Sequence, residues 1–362
     1  MPMTRATDMS VRPIRSRLTI GRRQFAVCML ASGLAAVTTS APYAAEDFYS
    51  GKTITILAGF QAGSGYDTYM RTLARHIPKY IPGNPTIVPS NMTGGGGLVL
   101  ANYLYNIAAK DGTAFGIYSR SNNLDPLFET PAARFDPRKF QWIGSMGDEV
   151  SVCISWHQSP FKTWNDLIGK EFVAASTSNS ADTGVYPALF NSFLGTKFKV
   201  VQGYRGGPAM SKAIEGGEAN GRCGWSWTAV KATKPEWLKD KKINILVQAG
   251  LRKAKDLQHV PLALELAKND KQRAVLELAF SPQAIAWSFA APPEVPADRV
   301  AILRKAFLAA LEDKDFLAEA ERLKLGIDPM SGEDVLAQIN KIYAAPKDVI
   351  AQARAIMKPL QK

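Results

Sequence analysis

The chain has 362 residues, enough for two domains with separate cores, and is 46% hydrophobic and 21% charged, an ordinary globular composition. Of its formal charge of +12, six arginines and Asp8 place +5 before Glu46, so the remainder carries +7. No basic block is interleaved with aromatic residues, which speaks against a nucleic-acid partner; the positive balance is either a solvated surface or a field that attracts anionic solutes.

Residues 1–45 read as an export signal. An arginine-rich start leads to Phe25–Val37, an apolar run too short to span a bilayer. Gly21-Arg22-Arg23-Gln24-Phe25 resembles a twin-arginine signal, although any basic export signal can carry paired arginines. The cut is expected near Ala45, and Cys28 lies too early to be a lipid-attachment cysteine. Beyond Ala45 no stretch reaches 18 apolar residues, so a soluble periplasmic protein is expected.

Thr53–Ala58 alternates β-branched and apolar residues and predicts a strand. Gly59, Gly63 and Gly65 punctuate a loop, and Tyr66–Tyr80 returns apolar residues at helical spacing. A strand, Gly-rich turn and helix aim free backbone N–H groups and the positive end of a helix dipole at one point, where an anion fits. The turn lacks the Lys-Ser/Thr of a phosphate loop and the glycine spacing of a dinucleotide fingerprint. A second such unit runs from Thr86–Pro89 through Gly94–Gly97 to a helix over Leu98–Ala108. A third strand, Thr113–Tyr118, ends in the polar loop Ser119-Arg120-Ser121-Asn122-Asn123. Alternating strands and helices predict a parallel sheet with ligands beyond its carboxyl edge, where all three loops lie.

A second unit begins near Asp148. Val150–Trp156 and Glu171–Ala175 read as strands, and the hydroxyl-rich Ser176–Asp182 precedes a helix over Val185–Leu194, a second helix start suited to an anion. Lys199–Gln202 leads to Gly203-Tyr204-Arg205-Gly206-Gly207 and a helix over Met210–Glu215. Ala219–Trp227 is a strand end in which alternation puts Trp225 and Trp227 on one face. Ile243–Gln248 reads as a strand returning to the first unit. Pro261–Phe280 is largely helical, Asp298 caps a helix over Arg299–Leu311, and Glu333–Tyr343 and Lys347–Met357 close the chain. The expected division is 46–148 with 249–362 as one lobe and 149–248 as the other.

Cys153 and Cys223 both fall in strand-like segments. They form one disulfide if those strands are neighbours, and two buried thiols otherwise. Catalysis has little support. The three histidines, His76, His157 and His259, show no metal-ligand spacing. No nucleophile elbow precedes a helix, and no metal or cofactor is expected. Asp67 could act as a base but at a helix start is more simply a cap; beside a carboxylate it must point away or meet a donor.

Seven segments together resemble the solute-binding proteins of tripartite tricarboxylate transporters, the Bug proteins, from about Phe48 onward. They are Gly59-Phe60-Gln61-Ala62-Gly63-Ser64-Gly65-Tyr66-Asp67, Asn91-Met92-Thr93-Gly94-Gly95, Lys110-Asp111-Gly112-Thr113, Lys162-Thr163-Trp164-Asn165-Asp166-Leu167, Gly203-Tyr204-Arg205-Gly206-Gly207, Glu215–Trp227 and Ala291-Pro292-Pro293. The resemblance implies an α/β two-lobed flytrap, with two mixed or parallel sheets flanked by helices, that binds a small carboxylate between its lobes. Carried over, it implies ligand contacts at Phe60, Gly63, Ser64, Gly65, Tyr66 and Asp67, and at Ser176, Thr177, Ser178, Asn179 and Ser180. Tyr204, Arg205 and Gly206 would line the same cleft, with Ser119 at the carboxyl edge and Trp225 and Ser226 on the far wall.

This sequence departs from the pattern in three places. Its second-lobe loop has no Gly-rich run, Ala286-Trp287-Ser288 replaces a common Gly-Arg-Pro, and Trp225-Ser226-Trp227 reshapes the far wall. The implied function is a monomeric periplasmic protein, not an enzyme, that delivers a carboxylate to a membrane permease. The alternatives are an extracytoplasmic sensor acting on a signalling partner, or an enzyme on a doubly wound fold.

Overall fold

A computed structural model describes residues 48–357. The export signal, its paired arginines, Cys28 and the expected cut near Ala45 lie outside the described residues. Eleven strands among those described form two mixed sheets. The strands are β1 (Thr53–Ala58), β2 (Thr86–Asn91), β3 (Ala114–Ile117), β4 (Gln141–Ser145), β5 (Ser151–Trp156), β6 (Glu171–Ala175), β7 (Lys197–Val201), β8 (Gly221–Ser226), β9 (Ile243–Ala249), β10 (Ser288–Ala291) and β11 (Met330–Ser331). The helices are α1 (Gly65–His76), α2 (Leu98–Asn106), α3 (Asp182–Phe193), α4 (Gly207–Glu215), α5 (Trp227–Thr233), α6 (Pro235–Lys239), α7 (Asp270–Phe280), α8 (Ala297–Leu311), α9 (Lys314–Arg322), α10 (Gly332–Tyr343) and α11 (Lys347–Met357).

The first sheet has the order β11-β4-β10-β3-β1-β2. β1 pairs parallel with β2, Thr53 opposite Thr86, and with β3, Thr55 opposite Ala114. The Gly-rich loop after β1 and the polar loop after β3 therefore open on one edge, as Gly-rich βα turns in parallel pairs require. β10 runs antiparallel to both β3 and β4. The second sheet has the order β7-β6-β8-β5-β9, with β6 parallel to β7 and β5 antiparallel to β8 and β9. The chain crosses between sheets from β4 to β5 and again from β9 to β10.

Two sequence expectations are corrected. Ile243–Gln248 does not return to the first unit; it lies in the edge strand of the second sheet, with Ser151 opposite Ala249. Helix propensity and alternation carry no information on such long-range pairing. The helix expected after Asp298 starts at Ala297 behind Pro296, and no side chain caps it. Helices α7 and α11 lie against α3 behind the second sheet. Phe190, Val275, Phe280, Val349 and Met357 share one core there, with Tyr186 edge-on to Phe280 at 5.0 Å. We accordingly propose a second lobe that includes these two helices, a wider one than 149–248.

Within the second sheet a disulfide joins Cys153 on β5 to Cys223 on β8. The β5–β8 register shifts there: Val152 faces Trp225, but Ile154 faces Arg222. β8 thus carries an extra residue, and Gly224, at φ +67°, takes the left-handed conformation the bulge needs. A Cβ on Gly224 would lie 2.6 Å from Cβ of Asp182, so only glycine lets β8 approach the start of α3.

Candidate functional site

A cavity of about 60 Å³ lies where loops of the two sheets meet. Phe60, Ser64 and Tyr66 reach it from the turn after β1, Ser119 and Arg120 from the loop after β3, and Trp287 from the turn before β10. The second sheet supplies Thr177, Asp182 and Thr183 before and within α3, Met210 from α4, and Arg222, Trp225 and Ser226 from β8. Side chains at the strand ends are all drawn toward one point, as open α/β sheets dictate.

The first wall is held rigidly. Ser64 caps α1, its Oγ accepting the N–H of Asp67 at 3.3 Å. The Asp67 carboxylate accepts from the Gly63 N–H, from Arg71 Nε and from Asn91 Nδ2, each at 2.8 Å. Asn91 also donates to the Phe60 carbonyl. Asp67 is therefore neither the cap nor a base at the cavity. It points away and braces the turn. Phe60 stacks on Tyr66 at 4.6 Å, and Trp287 stacks on Tyr69 at 3.9 Å, building an aromatic floor. Where the halves touch, space is minimal: a Cβ on Gly65 would lie 2.7 Å from Cβ of Ala229.

Two buried arginines face the cavity, and the sequence reading assigned neither a role. Arg120 is paired across the cleft through both terminal nitrogens, while its Nε has no hydrogen-bond partner. Its Nη2 lies 2.6 Å from Asp182 and 2.9 Å from Ser151 Oγ, and its Nη1 donates to Ser226 Oγ at 3.1 Å. Ser121 Oγ also donates to Asp182. Burial works against the Arg120 charge, but Asp182 and nearby acidic groups override it and hold its pKa above the ordinary value. Burial in turn raises the pKa of Asp182, with Arg120 opposing.

Arg222 is the opposite case. It is only 5% exposed, its Nε and Nη1 have no hydrogen-bond partner, and it pairs with no carboxylate among the described residues. Its guanidinium lies over the Trp225 ring at 4.3 Å, and its Nη1 lies 3.6 Å from where a Cβ of Gly207 would stand, at the start of α4. Burial pulls its pKa down, weakly opposed by Asp182. A guanidinium buried without a partner is costly, and a helix N-terminus beside it adds further positive potential.

Of the residues expected from sequence, Phe60, Ser64, Gly65, Tyr66, Ser119, Thr177, Trp225 and Ser226 line this cavity. Ser178, Asn179 and Ser180 face a neighbouring cavity of about 410 Å³ with Asp125 and Phe128. Tyr204 and Arg205 border a third, of about 460 Å³, with Thr93–Gly96. Gly206 precedes α4, and Gly63 and Asp67 brace the turn. Ser176 is buried, its Oγ held by the Ser178 carbonyl and Thr183 Oγ1. Trp225 and Trp227 do not share a face: β8 ends at Ser226, and Trp227 opens α5, donating from Nε1 to Asp256 at 2.8 Å.

Among the described residues no group of three or more His, Cys, Asp or Glu side chains could hold a metal ion. None of their helices is long and apolar enough to cross a membrane.

Fold and site together define a two-lobed periplasmic-binding-protein architecture with its cleft between the sheets. Solved structures share it. The periplasmic binding protein BugD is similar at a TM-score of 0.66 and 18% identity, over 86% of this chain and 98% of that one. MatC of Rhodopseudomonas palustris, with bound malate, is similar at 0.66 and 19%, over 83% of this chain and 99% of that one. A second R. palustris protein, with adipate, is similar at 0.66 and 17%, over 84% and 97%. These neighbours, together with a TctC solute-binding protein from Polaromonas, are the group that the sequence motifs resemble. No family model matches the chain. No curated protein matches it.

Proposed function

We propose that this protein captures a small carboxylate between its two lobes and delivers it to a membrane permease of the tripartite tricarboxylate type. The observation that carries the reading is Arg222, a buried guanidinium with two unmet donors and no ion-pair partner among the described residues, lining a cavity between the sheets. A carboxylate meets it with charge-assisted hydrogen bonds, about twice as strong as neutral ones. Ligand contact from both walls favours the closed arrangement, because only that arrangement brings Arg222 and the floor of Phe60 and Tyr66 together. The malate and adipate held by two structural neighbours support the same ligand chemistry. The export-signal pattern of the sequence and the periplasmic binding protein among the neighbours support a periplasmic location.

A thermal-shift screen against organic acids tests the reading. An acid that binds only the folded state raises the melting temperature with its concentration. If no acid does so while a nucleotide does, the reading is wrong. Delivery to a permease is tested by accumulation of the same acid in cells with and without the protein.

A further inference from the structure

The charges and walls of this cavity say more about its ligand than the neighbours do. The charged groups lining it are Arg120, Asp182 and Arg222. Arg120 and Asp182 neutralise each other at 2.6 Å, which leaves one positive charge on Arg222. Glu149 lies one layer behind, bound by the Val150 N–H and Thr228 Oγ1, and does not line the cavity. The hydroxyls are uncharged, and several already take part in hydrogen bonds. Ser226 accepts from Arg120, Thr183 bonds Ser176 and Thr177, and Ser64 caps α1. The largely apolar surfaces are Phe60, Tyr66, Met210, Ala229 and Trp287, with Trp225 beneath Arg222.

Resting on the carboxylate-binding reading, we infer that the cavity takes a small monocarboxylate: one carboxylate on Arg222 and an uncharged, largely apolar body against the aromatic walls. A single anion brings the buried charge to neutrality. A second carboxylate would sit among rings and uncharged hydroxyls with no cation free to meet it, and a buried charge without a partner is strongly disfavoured. The size agrees. A cavity of about 60 Å³ has room for roughly four to six water-sized groups, the scale of a short-chain or single-ring acid. Arg222 faces this cavity because of the β8 bulge. In a regular strand, residues three apart point to opposite faces, and the extra residue at Gly224 places Arg222 with Trp225.

The experiment is calorimetric titration of the purified protein with butyrate, benzoate, succinate, adipate, malate and the neutral isostere benzamide, repeated on Arg222→Met and Arg222→Lys. The expected result is binding of butyrate or benzoate, at least about 10-fold tighter than any dicarboxylate. Benzamide and the Arg222→Met protein should lose about 100-fold or more, with Arg222→Lys in between. Arg222→Met removes an unpaired charge, so its melting temperature is expected to hold, which separates lost binding from lost fold. Equal or tighter binding of a dicarboxylate, dependent on Arg222, would overturn the monocarboxylate inference and leave the carboxylate reading standing. Binding that survives Arg222→Met unchanged would overturn the assignment of Arg222. Silence from every acid in the wild-type protein would overturn the underlying reading, and this inference with it.

Discussion

The two buried arginines differ in a way that separates structure from function. Arg120, from the first wall, ties itself to Asp182, Ser151 and Ser226 across the cleft. Arg222, from the second wall, leaves Nε and Nη1 unpartnered. Both are nearly inaccessible, at 3% and 5%. Burial alone therefore does not mark a ligand-binding residue. Arg120 too leaves its Nε unpartnered, so what sets the two apart is the counter-charge: Arg120 has Asp182 at 2.6 Å, and Arg222 has no ion-pair partner among the described residues.

Opposite substitutions sharpen this most. Arg120→Met leaves Asp182 buried without its cation and is expected to destabilise the protein by about 3–5 kcal/mol in urea unfolding. Arg222→Met is expected to leave stability unchanged or slightly raised without ligand. Equal losses in both would erase the distinction. Next in size is the covalent tie beneath Arg222. Replacing Cys153 and Cys223 by serine releases a closure over 70 residues of separation and is expected to cost roughly 4 kcal/mol.

On the first wall, Ser64→Ala removes the cap of α1 and is expected to cost about 1 kcal/mol of stability, measured by the same unfolding. Because the cap also holds the turn that carries Tyr66, ligand affinity should fall with it; unchanged affinity would mean the first wall does not depend on this turn.

A pH slope gives a check that does not depend on either wall. Burial raises Asp125 to about 7, opposed by hydrogen bonds from Asn122 and Thr130. A carboxyl raised above its ordinary value binds protons more readily folded than unfolded. Its stabilisation is thus complete below about pH 4 and lost as pH rises through 7. Thermal unfolding across that range should show the decline, and Asp125→Asn should flatten it.

Much of this was legible in the sequence where local chemistry decides. β1 and β6 begin and end at the residues that alternation indicates, and Ser64 and Thr177 stand at the ends of the loops that the Gly-rich and hydroxyl-rich stretches mark. What stayed hidden depends on contacts between distant segments. The edge pairing of β9 leaves no trace in its own residues. Arg222 reads as an ordinary polar position in a short strand, and nothing local says that Gly224 inserts a bulge or that no acid comes to meet the guanidinium. The one available signal was an arginine set among Cys223, Gly224 and Trp225, surroundings too apolar for a solvated cation.

The disulfide has a consequence beyond stability. Between Cys153 and Cys223 lie β6, α3, β7 and α4, and with them Thr177, Asp182, Thr183, Met210 and Arg222. Nearly the whole second wall is thus a single closed ring of chain, pinned at its base to the middle of the sheet. Residues inside that ring can vary while its two ends stay fixed in space. Such a wall can be exchanged as a cassette, its residues varied without rebuilding the sheet to which both ends are tied.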